Sequence, residues 1–283
     1  MNFKALRQYF TRKILGLYDL EEADALFYIV AEKVSGWGRA KVIFNQDKPV
    51  NVKELQTYED IINQLRSGKP LQYILNEAHF YGLTFMVNPS VLIPRAETEE
   101  LVNWIVAIAG QGDSNGDLLD IGTGSGCIGI TLKKHLTDWN VFAMDISPTA
   151  LAVAALNAKA NNVQVQFIEA DALVYHSQQQ FDIIVSNPPY IKEDEKAAMQ
   201  ANVLDFEPHS ALFVSNQNPL VFYKAIADLA LKNLRKKGYL FFEINEYLAE
   251  QTVAMLAAKG FKNIELKKDM QGKDRMICCR IMD

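Results

Sequence analysis

From Leu118 the chain runs a short apolar stretch, Leu118-Leu119-Asp120-Ile121, straight into Gly122-Thr123-Gly124-Ser125-Gly126. That loop runs straight into the apolar helical pattern of Cys127 to Leu136. Three alternating glycines suit a reversal so tight that a Cβ would obstruct it, so the segment reads as buried strand, turn and helix with no spacer. A strand feeding a helix in this way is the repeating unit of a parallel sheet. The alternation continues downstream. Strands are predicted at 141–146, 163–168, 181–186 and 239–244, and helices at 148–160 behind Ser147 as N-cap, 220–234 and 248–258. Lys236 and Lys237 are expected against the C-terminal carbonyls of the 220–234 helix, ahead of Gly238. Two last strands, about 262–268 and 275–281, are joined by Met270-Gln271-Gly272-Lys273. Together these predict an α/β fold: a doubly wound, mainly parallel seven-stranded sheet with one antiparallel strand at the terminal hairpin.

The preceding residues follow a different period. Phe3, Leu6, Tyr9, Phe10, Ile14 and Leu17 recur at helical spacing, as do Leu26, Ile29, Val30 and Val34 before a Gly36-Trp37-Gly38 break. Val52, Leu55, Tyr58, Ile61, Ile62 and Leu65 form another such face. The organisation predicted is a helical recognition domain over 1–76, a β-hairpin linker over 77–95 with turn signals at Gly82 and Asn88-Pro89, and the sheet domain over 96–283. Residues 1–80 carry 11 basic and 10 acidic side chains and the remainder 18 and 24, so a near-neutral cap precedes an acidic body. A net charge of −5 leaves no basic surplus for gripping nucleic acid, and no direct nucleic-acid partner is expected. No run approaches the roughly 18 apolar residues of a membrane helix. The charged, amphipathic N-terminus lacks a signal-peptide core. Three cysteines, an odd number, favour a reducing compartment. Adjacent Cys278 and Cys279 would face opposite ways in a strand, and His79, His135, His176 and His209 lack ligand spacing, so no metal is expected. The expectation is a cytoplasmic monomer without a membrane partner.

The glycine loop implies a ligand at the strand ends. Gly124-Ser125-Gly126-Cys127-Ile128-Gly129 also fits a dinucleotide fingerprint, with Asp145 about twenty residues on. Two details oppose that reading: two residues separate the first glycine of that register from the strand, and Asp120 at the loop entrance would repel a pyrophosphate. A carboxylate there suits a cation, such as the ammonium and sulfonium of S-adenosylmethionine. Asp145, ending the next strand, is placed to accept both hydroxyls of a ribose.

A second motif closes the strand Phe181 to Val185: Ser186-Asn187-Pro188-Pro189-Tyr190. Two prolines fix a stiff, extended backbone that cannot donate to a sheet. The Asn187 side-chain oxygen and the Pro188 carbonyl are then two acceptors on one rigid frame, able to hold both hydrogens of a planar NH2. Tyr190 offers a flat face for stacking. Neither acceptor titrates, so the chemistry requires no His or Cys.

An Asp-x-Gly-x-Gly-x-Gly loop followed by Asn-Pro-Pro-Tyr resembles the amino-methyltransferases that use S-adenosylmethionine. Pro70 to Leu75, His79 to Leu83, Val91 to Arg95, Glu97-Thr98-Glu99, Phe181 to Ile191, Glu207-Pro208 and Lys268-Asp269-Met270-x-Gly272-Lys273-x-Arg275 narrow this. They resemble the bacterial peptide chain release factor glutamine-N5 methyltransferases, from about residue 70 onward. The resemblance implies a Rossmann-like methyltransferase sheet. It also implies a cofactor site of Asp120, Gly122, Thr123, Gly124, Ser125, Gly126, Asp145, Asp171, Ala172 and Asn187. Asn187, Pro188, Pro189 and Tyr190 would hold the substrate glutamine, with Asn187, Pro188 and Tyr190 catalytic. The substrate would be the Gly-Gly-Gln glutamine of translation release factors. Departures are Asn76, Ala96, Ala172, Asn216 to Pro219 and Asn245, of which Asn76 and Asn245 stand where glycine is usual and Ala172 where a ring is frequent. The same tetrapeptide suits an adenine or guanine amino group, so a nucleic-acid amino-methyltransferase is the alternative, and a silent scaffold of the same fold a third reading. Arg95 either pairs with Glu97 or Glu99 or faces the substrate, and Lys192 to Lys196 is a solvated helix face or a lid.

Overall fold

The amphipathic spacing near the N-terminus yields helices α1 (Phe3–Ile14), α2 (Leu20–Ser35), α3 (Arg39–Phe44), α4 (Val52–Arg66) and α5 (Leu71–Leu75). The long ones begin at side chains that accept a free backbone N–H: Asn2 from Ala5, Asp19 from Glu22 and Asn51 from Lys53. Their apolar faces meet in one core built on Phe10, Phe27, Tyr58 and Leu65. The computed structural model describes residues 1–111 and 115–281, which form two compact units. Residues 200–206 join 1–76 in the first, and 77–199 with 207–283 form the second.

The second unit opens with a hairpin of β1 (Glu77–Phe80) and β2 (Leu83–Met86). Both turn residues, Tyr81 and Gly82, have positive φ, at 49° and 73°, which matches the twist of a two-residue hairpin loop. The strands end at Met86, so 87–95 carries none. The hairpin is packed into this unit: Phe80 and Phe85 share a core with Leu101, Trp104 and Ile105. Then follow α6 (Ala96–Ala109), β3 (Asp117–Ile121), α7 (Cys127–His135), β4 (Asn140–Asp145), α8 (Pro148–Ala160), β5 (Gln166–Glu169), β6 (Phe181–Ser186) and β7 (Ile191–Lys192). After α9 (Ala201–Phe206), which belongs to the first unit, come β8 (Phe213–Val214), α10 (Val221–Asn233), β9 (Leu234–Glu243), α11 (Ala249–Ala258), β10 (Lys262–Lys268) and β11 (Asp274–Arg280).

The main sheet has seven strands in the order β10-β11-β9-β6-β3-β4-β5. β9, β6, β3, β4 and β5 run parallel, and β11 is antiparallel to both of its neighbours. Alternate residues go to opposite faces. Leu118, Ile183, Val185, Phe241 and Cys278 pack with α6 and α7, while Leu119, Ile184, Leu240, Phe242 and Cys279 pack with Tyr223 and Ile226 of α10 and Leu256 of α11. The adjacent cysteines therefore lie on opposite sides of the sheet.

Two local expectations change. Lys236 and Lys237 belong to β9, which begins directly after α10, and do not cap that helix. Lys237 has φ 65°, and the β6–β9 register shifts between Phe181 and Ile183. A Cβ on Gly238 would lie 2.9 Å from the Arg235 carbonyl and 3.0 Å from that of Asp182, so this irregularity requires glycine. The strand read over 163–168 is Gln166–Glu169, a short strand at the sheet edge. No helix among the described residues is long and apolar enough to cross a membrane.

Asn157 on α8 is buried and ties the hairpin to the glycine loop. Its Oδ1 accepts from Met86 N at 2.6 Å, and its Nδ2 donates to the Met86 and Ser125 carbonyls at 2.9 and 2.8 Å. Asn157→Ala would leave these backbone groups unpaired, at about 1–3 kcal/mol for the most buried of them. A urea midpoint lowered by a stability loss of about 2–3 kcal/mol, with an unchanged m-value, is the expected result.

Candidate active site

Adjacent parallel strands bring the two motifs together. Ile121, the last residue of β3, pairs with Ser186, the last of β6, and the buried Ser186 Oγ donates to the Ile121 carbonyl at 2.7 Å. The glycine loop and the Asn-Pro-Pro-Tyr segment therefore leave the sheet side by side. Gly122, Gly124 and Gly126 have φ of 73°, 55° and 82°. A Cβ on Gly122 or Gly124 would meet nothing within 4 Å, whereas one on Gly126 would lie 2.6 Å from Ile130 Cδ1. The first two leave open space over the backbone, and the third permits close packing of α7.

Asp145 ends β4. Its Oδ2 accepts from Gly124 N at 2.8 Å and its Oδ1 from Ser147 N at 2.9 Å. Asp171 follows β5; its Oδ1 accepts from Leu173 N, and Ala170 N donates to the Asp145 carbonyl. Ala172 packs partly against the core. Ile146, directly after Asp145, is 62% exposed, and Leu173 and Val174 are exposed too. The sign of Ile146 in the sequence is an isoleucine just beyond a strand that ends in an acid.

Asp120 is fully enclosed. Its Oδ2 accepts from the Thr123 hydroxyl at 2.6 Å and from Gly129 N at 3.0 Å, which holds the loop to the start of α7. Its Oδ1 and the buried Ser125 Oγ have no hydrogen-bond partner among the described residues.

The tetrapeptide is held from behind by β9 and α6. Asn187 Nδ2 donates to Thr98 Oγ1 at 3.3 Å, and the Thr98 hydroxyl donates to Glu243 Oε2 at 2.6 Å. The Tyr190 hydroxyl donates to Glu243 Oε1 at 3.1 Å, and that of Tyr223 to the Glu243 carbonyl at 3.2 Å. Asn245 Nδ2 donates to the Tyr190 carbonyl and to Glu195 Oε1, both at 3.0 Å. Pro188 is buried, and Asn187, Pro189 and Tyr190 are half-buried. Burial raises the Glu243 carboxyl above the ordinary range; the two hydroxyl donors and nearby Arg275 oppose it. Burial and the Glu243 charge push the Tyr190 phenol well up, so it remains a donor. Among the described residues nothing donates to Asn187 Oδ1 or to the Pro188 carbonyl.

Arg95 takes neither expected partner. It pairs with the buried Glu207 at 2.6 Å, whose other oxygen accepts from Ile93 N at 3.2 Å. Lys192 to Lys196 enters a 3-10 turn over Glu193–Ala198, with Glu195 accepting from both Lys192 N and Asn245. No short motif in the sequence gives Thr98, Glu243 or Asn245 a role. The available sign was a glutamate ending the apolar run Leu240-Phe241-Phe242.

A seven-stranded sheet bearing a glycine loop after β3 and this tetrapeptide after β6 defines the second unit as a methyltransferase fold, and residues 101–206 match the methyltransferase small domain family. The fold is shared with the catalytic domain of hMettl16 solved with a MAT2A 3'UTR hairpin: TM-score 0.57 at 18% identity, covering 89% of this chain and 90% of that one. Residues 6–75 match the PrmC N-terminal domain. The release factor glutamine methyltransferase of Flavobacterium psychrophilum is 45% identical over 280 residues, covering 98% of each chain. That of Bacteroides thetaiotaomicron is 41% identical, covering 95% of this chain and 96% of its own. The chain belongs to the release factor glutamine methyltransferase family.

The enclosed Asp120 has a consequence for stability. Desolvation pushes its carboxyl up to about 7, against the bonds from Thr123 and Gly129 and with Asp145 adding to the rise. Between the unfolded value of about 3.9 and about 7 the folded protein holds a proton that the unfolded chain releases, so stability falls as pH rises through this window. Melting of the ligand-free protein should therefore drop from pH 5 to pH 8 more steeply than that of Asp120→Asn. Parallel curves for the two proteins would contradict the assignment.

Proposed function

We propose that this chain methylates the side-chain amide nitrogen of a glutamine, that of the Gly-Gly-Gln motif in translation release factors, using S-adenosylmethionine. The observation that carries the reading is the pair of unoccupied acceptors, Asn187 Oδ1 and the Pro188 carbonyl, on a proline-stiffened frame beside the glycine loop. The family supplies the substrate class, since its members in Flavobacterium and Bacteroides are named for release factor glutamine methylation.

The residues fit the cofactor. Open space lies over Gly122 and Gly124, Asp145 stands at the neighbouring strand end for ribose hydroxyls, and Ile146 presents exposed apolar surface next to it. Asp171 and Ala172 would lie near the adenine. The unpartnered Oδ1 of Asp120 is buried at the loop entrance, and a cationic ligand there would favour the ionised carboxylate. When bound, S-adenosylmethionine supplies a methyl group activated by its sulfonium.

The protein's own part is alignment. Accepting both hydrogens of the glutamine NH2 sets the plane of the amide, raises electron density on its nitrogen and turns that nitrogen's face toward the loop side. Tyr190, fixed through its hydroxyl, would pack on the amide plane. Because the acceptors are a carboxamide and a peptide carbonyl, no ionisation is needed to prepare them. Release factors are the macromolecular partners, and the acidic charge balance disfavours a nucleic-acid substrate.

Incubation of a purified release factor with protein and cofactor, followed by peptide mass spectrometry, should place one methyl on that glutamine. Asn187→Ala should lower methyl transfer by at least about 100-fold and leave cofactor affinity within a few-fold, as expected for lost orientation. Undiminished turnover, or label on RNA or DNA instead of protein, would overturn the proposal.

A further inference from the structure

A primary carboxamide such as that of Asn187 has two ends of nearly the same shape and opposite hydrogen-bonding sense. Only the orientation with oxygen outward presents an acceptor to a substrate NH2; the flipped one presents a donor and repels it. The prolines stiffen the backbone but do not choose between these states. The choice is made behind the loop. Glu243 is 1% exposed and its carboxylate can only accept. Thr98, 2% exposed in the first turn of α6, has one hydroxyl hydrogen, and that hydrogen is committed to Glu243 Oε2 at 2.6 Å. Thr98 Oγ1 can then meet Asn187 only as an acceptor, so the NH2 end must face it, at 3.3 Å. The Tyr190 hydroxyl hydrogen is likewise committed to Oε1, so one carboxylate sets the sense of both ends of the tetrapeptide.

We propose that Thr98 and Glu243 are positioning residues for methyl transfer, acting as a one-way hydrogen-bond relay that locks the Asn187 amide with its oxygen toward the substrate. The proposal rests on the reading of Asn187 as an acceptor for the glutamine amide. Glu243→Gln would place an NH2 group in the relay; with that end toward Thr98 it would free the Thr98 hydrogen for Asn187 and favour the flipped amide, and with that end toward Tyr190 it would leave the Thr98 bond in place. Thr98→Val removes the hydroxyl at nearly constant volume.

The test compares wild type, Asn187→Ala, Thr98→Val, Thr98→Ser and Thr98→Ala in methylation of a release factor, with cofactor affinity measured by calorimetry. Thr98→Val should lower kcat about 10-fold or more, the scale of a lost orienting hydrogen bond, and leave cofactor affinity within about 2-fold. Thr98→Ser, which keeps the hydroxyl, should recover most of kcat. A wild-type kcat in Thr98→Val, or equal losses in Thr98→Val and Thr98→Ser, would overturn the relay, the latter because packing alone would explain it. Should Thr98→Val not fold, Thr98→Ala, which also removes the hydroxyl, decides by the same split: unchanged kcat overturns the proposal and a selective kcat loss supports it. Asn187→Ala keeps the two levels apart. If it is inactive while Thr98→Val is fully active, only the relay falls; if it is fully active, the reading beneath it falls as well.

Discussion

A single buried carboxylate organises the sheet edge that carries the tetrapeptide. Glu243 ends β9 inside an apolar layer, where an unpaired charge would be costly, and its oxygens are used by hydroxyls from α6 and from the tetrapeptide. Those hydroxyls come from Thr98 and Tyr190, far apart in the chain. Burying the glutamate thus demands that α6, β6 and β9 stand in one relation to each other, and this relation also aims Asn187. Asn245, two residues on, extends the same anchoring to the Tyr190 backbone and to Glu195. Stability and orientation therefore come from the same bonds.

The glycine-loop side is arranged on different terms. Its glycine loop is held by backbone and carboxylate contacts: Gly122 N and Thr123 N donate to the Met144 carbonyl, and Asp120 and Asp145 bind the loop from two strands. Asp120 spends an enclosed carboxylate on this, which gives the loop a pH-sensitive component. The Ser186–Ile121 bond joins the two halves, because neighbouring parallel strands in register must release their following loops at the same sheet edge.

Much of this was legible from residue order. The strand–helix alternation, the glycine loop, the Ser147 cap and the final hairpin follow from short-range rules, since periodicity and turn chemistry act within a few residues. The local errors share a physical origin. Lys236, Lys237 and Gly238 look like a helix end because charge and glycine commonly close helices, yet the partner strand β6 draws them into β9 through a register shift. Arg95 has acids two and four residues away, yet the geometry supplies Glu207 from a distant segment.

What the sequence by itself determined is the local form of the two motifs: a glycine loop with open space over its backbone and a proline-stiffened pair of neutral acceptors. These are properties of contiguous residues, and their conformations follow from covalent and steric limits on the chain. Which end of the Asn187 amide faces outward was decided only by the tertiary structure. Hydrogen-bond direction depends on the proton inventory of groups that meet in space, and Thr98, Asn187 and Glu243 meet only when three separate elements pack against one sheet edge.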